Sequence, residues 1–293
     1  MTRSGFVALA GRPNVGKSTF INAVVGEKLA IVSDRPQTTR RAIRGICQNG
    51  DCQLVLVDLP GVQRPRDALT ARMARRVQQE LDGADATLLM VNGEHGVGPG
   101  ERFIARMLAA APTPVTVAVN KSDRLSRASL LAALADAAQL DARAEVFPIS
   151  ARTGTGVAAL LEHLAALMPE GAPLFDTHAP TDQPRELLLA ELIREAVIRR
   201  TFQELPHAVE VLVEEVEAPR EGLVRVRARI WVESDSQKGI VIGARGRMIK
   251  AIGSAARREL QRTLDCQVHL DLSVRVRRGW RADEALLDRL GIT

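Results

Sequence analysis

The chain has 293 residues, of which 46% are hydrophobic and 26% are charged, which suits about two globular domains and excludes wholesale disorder. None of its apolar runs reaches the roughly 18 residues that a membrane-spanning helix needs, and the first, Phe6–Ala10, is too short for a signal peptide. The formal net charge is +5, but Arg225–Arg281 alone carries 14 basic and five acidic residues, a local excess that favours an anionic partner, nucleic acid before membrane.

The first 168 residues alternate strand and helix signals. Continuous apolar runs predict strands buried on both faces, as in a parallel sheet, over Phe6–Ala10, Leu54–Val57, Ala86–Val91, Val115–Val119 and Val146–Ile149. Helical patterns separate these strands, first up to Val25 and then over Ala68–Leu81, Glu101–Ala111, Ser129–Leu140 and Val157–Leu167. The order predicts a doubly wound α/β domain over residues 1–168.

A segment rich in proline interrupts this order. Neither a helix nor a central strand tolerates its composition, so we predict a linker over residues 169–184. The remaining residues, 185–293, have a different order and predict a smaller α+β domain. Its predicted elements are a helix over Arg185–Phe202, strands over Val209–Val216 and Leu223–Val232, a short helix, a Gly-x-x-Gly turn, a helix over Met248–Leu264 and a strand over Val268–Val276.

Within the strand Leu223–Val232, residues 224–230 alternate strictly between apolar and basic side chains. The apolar residues are expected to face the core, and Arg225, Arg227 and Arg229 to face solvent. Glu210 and Glu214 on the neighbouring strand are the expected partners of this arginine row.

Residues 11–18 match the pattern G-x-x-x-x-G-K-[ST] between a predicted strand and a predicted helix. In that setting the backbone N–H groups and the helix N-terminus bind phosphate, the lysine reaches the β- and γ-phosphates, and the serine hydroxyl ligates Mg²⁺. A coincidental turn is the alternative, and the strand–loop–helix context argues against it. The predicted phosphate-binding residues are Gly11, Arg12, Pro13, Asn14, Val15, Gly16, Lys17, Ser18 and Thr19.

A second phosphate-side element, Asp58-Leu59-Pro60-Gly61, follows the apolar strand Leu54–Val57. Asp58 can hold Mg²⁺ through water, and the Gly61 N–H can face a γ-phosphate. Alone this sequence is also typical of an ordinary turn. Its position after a buried strand, downstream of the phosphate loop, favours the phosphate-binding interpretation.

The sequence Asn120-Lys121-Ser122-Asp123 ends another buried strand. The Asp123 carboxylate can accept both N–H groups of the guanine Watson–Crick edge, whereas adenine would leave that carboxylate unpaired. Asn120 and Lys121 would brace the loop and cover the base. After the strand Val146–Ile149, a backbone N–H of Ser150 or Ala151 could meet guanine O6. A solvated turn is the alternative for the first of these motifs taken alone.

Together these motifs resemble those of the translation-factor-type GTPases. Gly-Arg-Pro-Asn-Val-Gly-Lys-Ser-Thr at 11–19 and Gln-Thr-Thr-Arg at 37–40 are similar to the Era family in particular. The resemblance implies that the loop Asp34–Arg41 is a switch that orders around the γ-phosphate, and that one threonine ligates Mg²⁺. We favour Thr39 over Thr38, which gives a Mg²⁺ set of Ser18, Thr39 and Asp58.

The resemblance also bears on hydrolysis. Val62 follows Gly61, where Ras-like enzymes have a glutamine that orients water, and Gln63 is one position late. Slow intrinsic turnover is therefore expected. In related GTPases the asparagine at the Asn14 position helps to hold a K⁺ ion beside the phosphates, so K⁺ stimulation is carried over as a hypothesis. The predicted catalytic residues are Lys17, Asn14, Thr39 and Gly61.

The C-terminal part has Gly-x-x-Gly between two predicted helices. The glycines let a nucleic-acid backbone approach, neighbouring cations supply charge, and isoleucines can line a groove for unstacked bases, as in a KH module that clamps about four nucleotides. The element order resembles the type II KH fold. A helical hairpin with a solvated basic face is the alternative. The predicted RNA-binding residues are Ile242, Gly243, Ala244, Arg245, Gly246, Arg247, Ile249 and Lys250.

Both halves in this order match the Era family over nearly the whole chain. The resemblance implies a GTP- and GDP-binding switch that binds the 3′ end of small-subunit (16S) ribosomal RNA and the 30S precursor, and that assists 30S maturation. A monomer is expected. Cys47, Cys52 and Cys266 show no metal or redox spacing, which indicates reduced thiols and a cytoplasmic protein. The family leaves peripheral association with the inner face of the cell membrane open.

Three other functions remain to be distinguished. An RNA-binding scaffold could carry a nucleotide that is structural and never turns over. A P-loop phosphotransferase would use ATP, which the motif Asn120–Asp123 argues against. A membrane-surface GTPase would direct the basic patch to anionic lipid and would show salt-sensitive vesicle binding without RNA preference.

Overall fold

The computed structural model describes residues 2–32, 39–61, 67–141, 143–201, 205–290 and 292. The chain divides into two compact units: the main body of the first ends at Asp182, and the main body of the second begins at Gln183. Within the described residues, no helix has both the length and the apolar composition that a membrane span requires.

The first unit is built on a six-stranded sheet. Its elements in chain order are β1 (Arg3–Ala10), α1 (Lys17–Val25), β2 (Ile43–Asn49), β3 (Cys52–Asp58), α2 (Ala68–Asp82), β4 (Ala86–Asn92), α3 (Pro99–Leu108), β5 (Val115–Asn120), α4 (Arg127–Ala138), β6 (Val146–Pro148) and α5 (Val157–Leu167). The strand order is β2-β3-β1-β4-β5-β6. All neighbouring strands are parallel except β2, which runs antiparallel to β3. The predicted doubly wound α/β fold is confirmed, with β2 as an additional strand that we did not predict.

Helices cover both faces of this sheet, which explains its continuous apolar strands. Every residue of β3 and β4 is buried. On one face the core includes Phe20 of α1 and Leu160 of α5. On the other face it includes Val77 of α2 and Ile104 of α3. A strand that packs against helices on both sides has no solvent face, and so it shows no polar alternation.

The parallel register brings the functional loops to one edge of the sheet. Leu9 of β1 pairs with Asp58 of β3, and Asn92 of β4 pairs with Asn120 of β5. The loops that follow β1, β3, β5 and β6 therefore leave the sheet at its carboxyl edge, where ligands of open α/β sheets bind.

The segment predicted as a linker is anchored on the first unit. Gln53 Oε1 accepts hydrogen bonds from the N–H groups of Leu174 and Phe175 at 2.7 and 3.0 Å. Thr181 Oγ1 donates to the Arg44 carbonyl at 2.6 Å, and Asp182 pairs with the Arg44 guanidinium at 2.9 Å. The proline content correctly predicts that this segment forms no long helix. It does not predict that the segment makes contacts with residues of β2 and β3.

The second unit is an α+β fold. Its elements are α6 (Arg185–Ile198), α7 (Leu205–Ala208), β7 (Glu210–Arg220), β8 (Leu223–Val232), α8 (Asp235–Ile242), α9 (Arg247–Leu264), β9 (Gln267–Val276) and α10 (Glu284–Arg289). The sheet order is β7-β8-β9, with β7 antiparallel and β9 parallel to β8. The helix α6 ends before the predicted limit of Phe202, which lies outside the described residues, and the short helices α7 and α10 were not predicted.

The alternation predicted for β8 is present. Val224, Val226, Ala228, Ile230 and Val232 are buried and pack in one core with residues of α6 and α9. On the opposite face, Arg225, Arg227 and Arg229 pair with Glu217, Glu215 and Glu214 at 3.5, 2.5 and 2.8 Å.

The predicted role of Glu210 was wrong. Glu210 is fully buried, and one of its oxygens lies 3.7 Å from Nε of the equally buried Arg194. Arg194 also makes a two-pronged contact with Glu191, at 3.2 and 2.7 Å. A guanidinium removed from water requires a counter-charge, so Glu210 serves the core rather than the solvent-facing row.

Candidate functional site

The predicted phosphate loop has the backbone of a tight, inward-turned loop. Gly11, Asn14 and Gly16 have positive φ angles of 148°, 65° and 103°, and α1 begins directly afterwards at Lys17. Gly16 is required by close approach as well as by its φ, because a Cβ there would lie 2.2 Å from Asn120 Nδ2. The first turn of α1 therefore presents its N–H groups at the carboxyl edge of the sheet.

Lys17 points back into this loop. Its ammonium donates to the carbonyls of Gly11 and Arg12, both at 3.2 Å, and the residue is buried. Burial lowers the pKa of Lys17, and the nearby Asp58 carboxylate opposes that effect. A desolvated ammonium beside the N-terminus of a helix is a strong site for a phosphate anion.

Three oxygen-bearing side chains converge beside the loop. Ser18 Oγ donates to Asp58 Oδ2 at 2.6 Å, and Thr39 Oγ1 lies 3.2 Å from Ser18 Oγ and 3.3 Å from Asp58 Oδ2. Two hydroxyls and one carboxylate are hard oxygen donors of the kind that Mg²⁺ prefers, so this set fits that ion. Thr38, the other candidate ligand, lies outside the described residues.

Further contacts support the rim of the loop. Gly61 lies against Pro13, since a Cβ on Gly61 would be 2.8 Å from Pro13 Cγ. Arg12 pairs with Glu101 of α3 at 3.4 Å, a contact that no sequence motif indicates.

The remaining predicted residues of the phosphate loop lie at the start of α1. Thr19 lies within α1 and is half-buried, and Val15 lies just before α1 and is buried. Val62 and Gln63 lie outside the described residues.

Asn120 connects two of the predicted motifs. Its Nδ2 donates to the Val15 carbonyl at 2.8 Å, and its Oδ1 accepts from the Ala151 N–H at 2.9 Å. The next residue, Lys121, has a positive φ of 66°, and its ammonium lies 3.3 Å from Glu94. Glu94, which follows β4, was not predicted as a site residue.

Both oxygens of the Asp123 carboxylate have donors. Ser150 Oγ donates to Oδ1 at 2.6 Å, and Arg152 donates to Oδ2 at 2.5 Å. The Ser150 hydroxyl is the largest cause of a lowered pKa of Asp123; burial acts in the opposite sense, and Arg152 adds to the lowering. Asp123 is thus an ionised, oriented acceptor at the carboxyl edge. Sequence reasoning did not identify Arg152.

The two predicted donors to guanine O6 have partners within the protein. The Ser150 N–H donates to the Thr155 carbonyl at 2.9 Å, and the Ala151 N–H donates to Asn120 Oδ1. These bonds close the turn after β6 and brace Asn120. Ser150 and Ala151 therefore lie beside the other predicted base-site residues, and a contact of either N–H with guanine O6 stays a prediction.

The Gly-x-x-Gly turn lies in the second unit, between α8 and α9. Gly243 has a φ of 70°, and a Cβ there would lie 2.6 Å from Met248 Cβ. Arg245 is held in the left-handed region, at φ 52°. Ala244, Arg245, Arg247 and Lys250 are exposed, whereas Ile242, Gly246 and Ile249 are half-buried. The turn therefore presents cations at its surface beside partly covered apolar side chains.

The two units define the class of protein: a P-loop GTPase joined to a type II KH domain. A family model described as 50S ribosome-binding GTPase matches residues 6–121, and the KH domain model matches residues 204–281. GTPase Era of Mycobacterium bovis is 44% identical over 295 residues, covering 98% of this chain and 98% of its own. GTPase Era of Carboxydothermus hydrogenoformans is 43% identical over 296 residues, covering 99% and 98%. The chain belongs to the GTPase Era family, as its motifs predict.

Two solved structures resemble the whole chain. Era of Aquifex aeolicus bound to GDP and AlF4⁻ has a TM-score of 0.95 at 31% identity, with 100% of both chains covered. Era in complex with MgGDPNP and nucleotides 1506–1542 of 16S ribosomal RNA has the same TM-score, identity and coverage.

Proposed function

We propose that this GTPase is a molecular switch that binds the 3′ end of small-subunit ribosomal RNA and assists maturation of the 30S subunit in the cytoplasm. One observation carries the proposal: the chain resembles, over its full length, an Era structure that holds both MgGDPNP and nucleotides 1506–1542 of 16S ribosomal RNA. The similarity covers both units of the present chain. We therefore propose that the first unit binds the nucleotide and the second unit binds the RNA.

The first unit would bind the phosphates of GTP through the loop 11–18. Lys17 would turn its ammonium from the carbonyls of Gly11 and Arg12 to the β- and γ-phosphates. The phosphates would supply the negative charge that a buried ammonium needs as a partner. Ser18, Thr39 and Asp58 would hold Mg²⁺, and that ion, when bound, neutralises phosphate charge. The hydrogen bonds among these three side chains support the assignment, since they already converge on one point.

Guanine would be selected by the Asp123 carboxylate. Its lowered pKa keeps it ionised, as an acceptor of both N–H groups on the guanine edge must be. Asn120 would hold the loop against Val15. Lys121 would cover the base, with its ammonium oriented by the ion pair with Glu94. Ser150 and Ala151 would support Asp123 and Asn120, and a backbone N–H of one of them would meet guanine O6.

Hydrolysis is expected to be slow. The residue after Gly61 is Val62, which cannot orient or deprotonate water. Asn14, exposed at the rim of the loop, offers an amide oxygen for K⁺ beside the phosphates. We expect turnover in K⁺ to exceed turnover in Na⁺, and Asn14→Ala to remove that difference. Equal rates of the unsubstituted protein in the two salts would refute the K⁺ hypothesis.

The second unit would clamp single-stranded RNA at the Gly243–Gly246 turn. Close backbone approach at the glycines, with Arg245, Arg247 and Lys250 exposed around it, matches the way in which a KH module holds about four nucleotides. Half-buried Ile242 and Ile249 would contact the unstacked bases.

The experiment compares binding of a short RNA with the 16S 3′ tail to protein loaded with a non-hydrolysable GTP analogue or with GDP, at fixed salt in K⁺. Because coupling is reciprocal, tighter RNA binding in the GTP state implies tighter GTP binding with RNA. We expect selective binding of the tail over a scrambled RNA, stronger in the GTP state. Equal binding of both RNAs would refute the ribosomal assignment and favour a generic anionic partner, which anionic vesicles would then test.

Lys17→Ala tests whether bound GTP is needed. In the switch, this variant should no longer assist 30S maturation, while its KH domain still binds RNA. A scaffold whose nucleotide is structural would also fail in this variant, but it would keep its function when a non-hydrolysable GTP analogue replaces GTP, whereas the switch would not.

A further inference from the structure

Arg152 occupies one oxygen of the carboxylate that is proposed to select the base. It follows Ser150 and Ala151 after β6, and its terminal nitrogen donates to Asp123 Oδ2 at 2.5 Å. The other oxygen, Oδ1, accepts from Ser150 Oγ at 2.6 Å. Guanine also requires both oxygens of Asp123, so Arg152 and the base cannot use Oδ2 in the same way at once.

The two donors to Asp123 differ in freedom. Ser150 is fully buried, and its Oγ also accepts from the Thr153 N–H at 3.2 Å, so it is fixed within the turn. The Arg152 side chain is 67% exposed and reaches Asp123 from the solvent side. Ser150 can remain in place when a base binds, whereas Arg152 is free to move away.

The chemistry of the arginine matches that of the base. A guanidinium presents neighbouring N–H donors in one plane, and pairs with a carboxylate in the same fork geometry that the N1–H and N2–H groups of guanine offer. Since the guanidinium is also charged, it is a stronger partner per hydrogen bond than a neutral base edge. Arg152 makes one such contact, to Oδ2, and so takes the place of one guanine N–H group at Asp123.

We propose that Arg152 is an internal competitor for the guanine site: it pairs with Asp123 in the nucleotide-free protein, and must leave Oδ2 before the base binds. Arg152 thereby sets the association rate and the affinity for guanine nucleotides. The inference rests on the proposed role of Asp123 in base selection. Because the arginine is mostly exposed, its pair with Asp123 changes the equilibrium by at most about fivefold, and added salt screens it.

The test measures association and dissociation rates of a fluorescent GDP derivative with Arg152→Ala in the full-length protein. We expect a two- to fivefold faster association, an unchanged or slightly slower dissociation, and a gain that shrinks as salt increases. Arg152→Lys keeps the charge without the fork and should fall between. Arg127→Ala, which removes an exposed arginine at the start of α4, is the matched control and should not change the rates.

Weaker GDP binding by Arg152→Ala, or rates equal to those of the Arg127→Ala control, would overturn the proposal. A second variant tests the underlying base site. Asp123→Asn offers an amide N–H to the C2 carbonyl of xanthine, so preference should move from GDP to xanthosine diphosphate. Failure of that exchange would reject the base site itself. If the exchange occurs and Arg152→Ala has no effect in the unsubstituted protein, only the competitor role fails.

The double variant gives an independent readout. With Asn at 123 the guanidinium has lost its carboxylate partner, so adding Arg152→Ala should give no further gain for xanthosine diphosphate. An equal gain in both backgrounds would show that Arg152 acts through general charge rather than through Asp123.

Discussion

Asn120 Nδ2 donates a hydrogen bond of 2.8 Å to the main-chain carbonyl of Val15, although the two residues are 105 positions apart. The same side chain accepts from the Ala151 N–H. One buried amide therefore joins the phosphate loop, the end of β5 and the turn after β6. Because these three segments carry the proposed phosphate and base contacts, their relative geometry depends on this residue.

Asn120→Ala should disrupt this junction. It leaves the Val15 carbonyl and the Ala151 N–H without their partner in a buried place, which costs about 1–3 kcal/mol per group. We expect a loss of stability of that order in urea denaturation of the nucleotide-free protein, together with a loss of GDP affinity. Gln48→Ala, an exposed amide on β2, is the control. Normal stability and normal GDP affinity of Asn120→Ala would contradict the conclusion that Asn120 holds these three segments together.

The close approach of Gly16 to Asn120 gives a second prediction. Gly16→Ala combines a left-handed φ of 103° with a Cβ placed 2.2 Å from Asn120 Nδ2. Gly26→Ala, at φ 80° with open space around the new Cβ, carries only the backbone strain of about 1–2 kcal/mol.

Calorimetric titration with GDP distinguishes the two glycine variants. We expect Gly16→Ala to lose measurable binding and Gly26→Ala to keep it at a lower melting temperature. Similar affinities for the two variants would mean that contact with Asn120 is unimportant for nucleotide binding.

The sequence predicts this site best where the chain is most regular. Uniform apolar runs predicted the parallel strands, and parallel strands bring their carboxyl ends to one edge, which accounts for the grouping of Gly11–Ser18, Asp58 and Asn120–Asp123. The strand β2 was missed because it is a partly buried edge strand whose sequence contains a glycine, Gly45, and polar residues rather than a continuous apolar run. Its pairing with β3, and the hydrogen bond from Ile46 to the Pro180 carbonyl, are tertiary contacts.

Side-chain pairing was not predictable to the same degree. The order of the parallel strands brings the turn after β6 close to Asp123, but which exposed cation reaches the carboxylate depends on the conformation of that turn. Glu210 is a second example of a pairing that was not predictable. The strand pattern predicted that its side chain faces solvent, whereas it is buried and pairs with the buried Arg194. Which charged side chains pair depends on residues that the fold brings together from distant parts of the chain, and the local sequence pattern carries no information about these contacts.

The buried ammonium of Lys17 predicts a pH dependence. Burial holds its pKa below the ordinary 10.5, while the unfolded chain retains that value. Between the two values the unfolded state binds more protons, so Lys17 makes the free energy of unfolding rise with pH. Relative to Lys17→Met, the protein should therefore gain stability as the pH rises from the lowered pKa of Lys17 towards its ordinary value of 10.5.

Urea denaturation at a series of pH values, with and without GDP, measures this effect. The stability difference between the unsubstituted protein and Lys17→Met should increase as pH rises, and Lys250→Met, at an exposed lysine, serves as the control. GDP should stabilise the unsubstituted protein and not Lys17→Met. A difference that stays constant with pH would contradict the desolvated ammonium.

Arg245 allows RNA binding to be separated from folding. Its φ of 52° is strained for a side chain that carries a Cβ, so Arg245→Gly relieves about 1 kcal/mol in the folded state and adds about the same entropy to the unfolded chain. Stability should therefore change little. RNA affinity should fall, and the slope of its logarithm against that of salt concentration should decrease by about one phosphate contact.

Asp265→Gly is the matched control for Arg245→Gly. Asp265 follows α9 at φ 48°, so the control makes the same backbone change in the same domain without removing a cation. RNA titration of both variants at several salt concentrations separates charge from backbone. Loss of affinity in both variants would attribute the effect to loosened backbone, whereas loss in Arg245→Gly alone, with a reduced salt slope, assigns a phosphate contact to the Arg245 guanidinium.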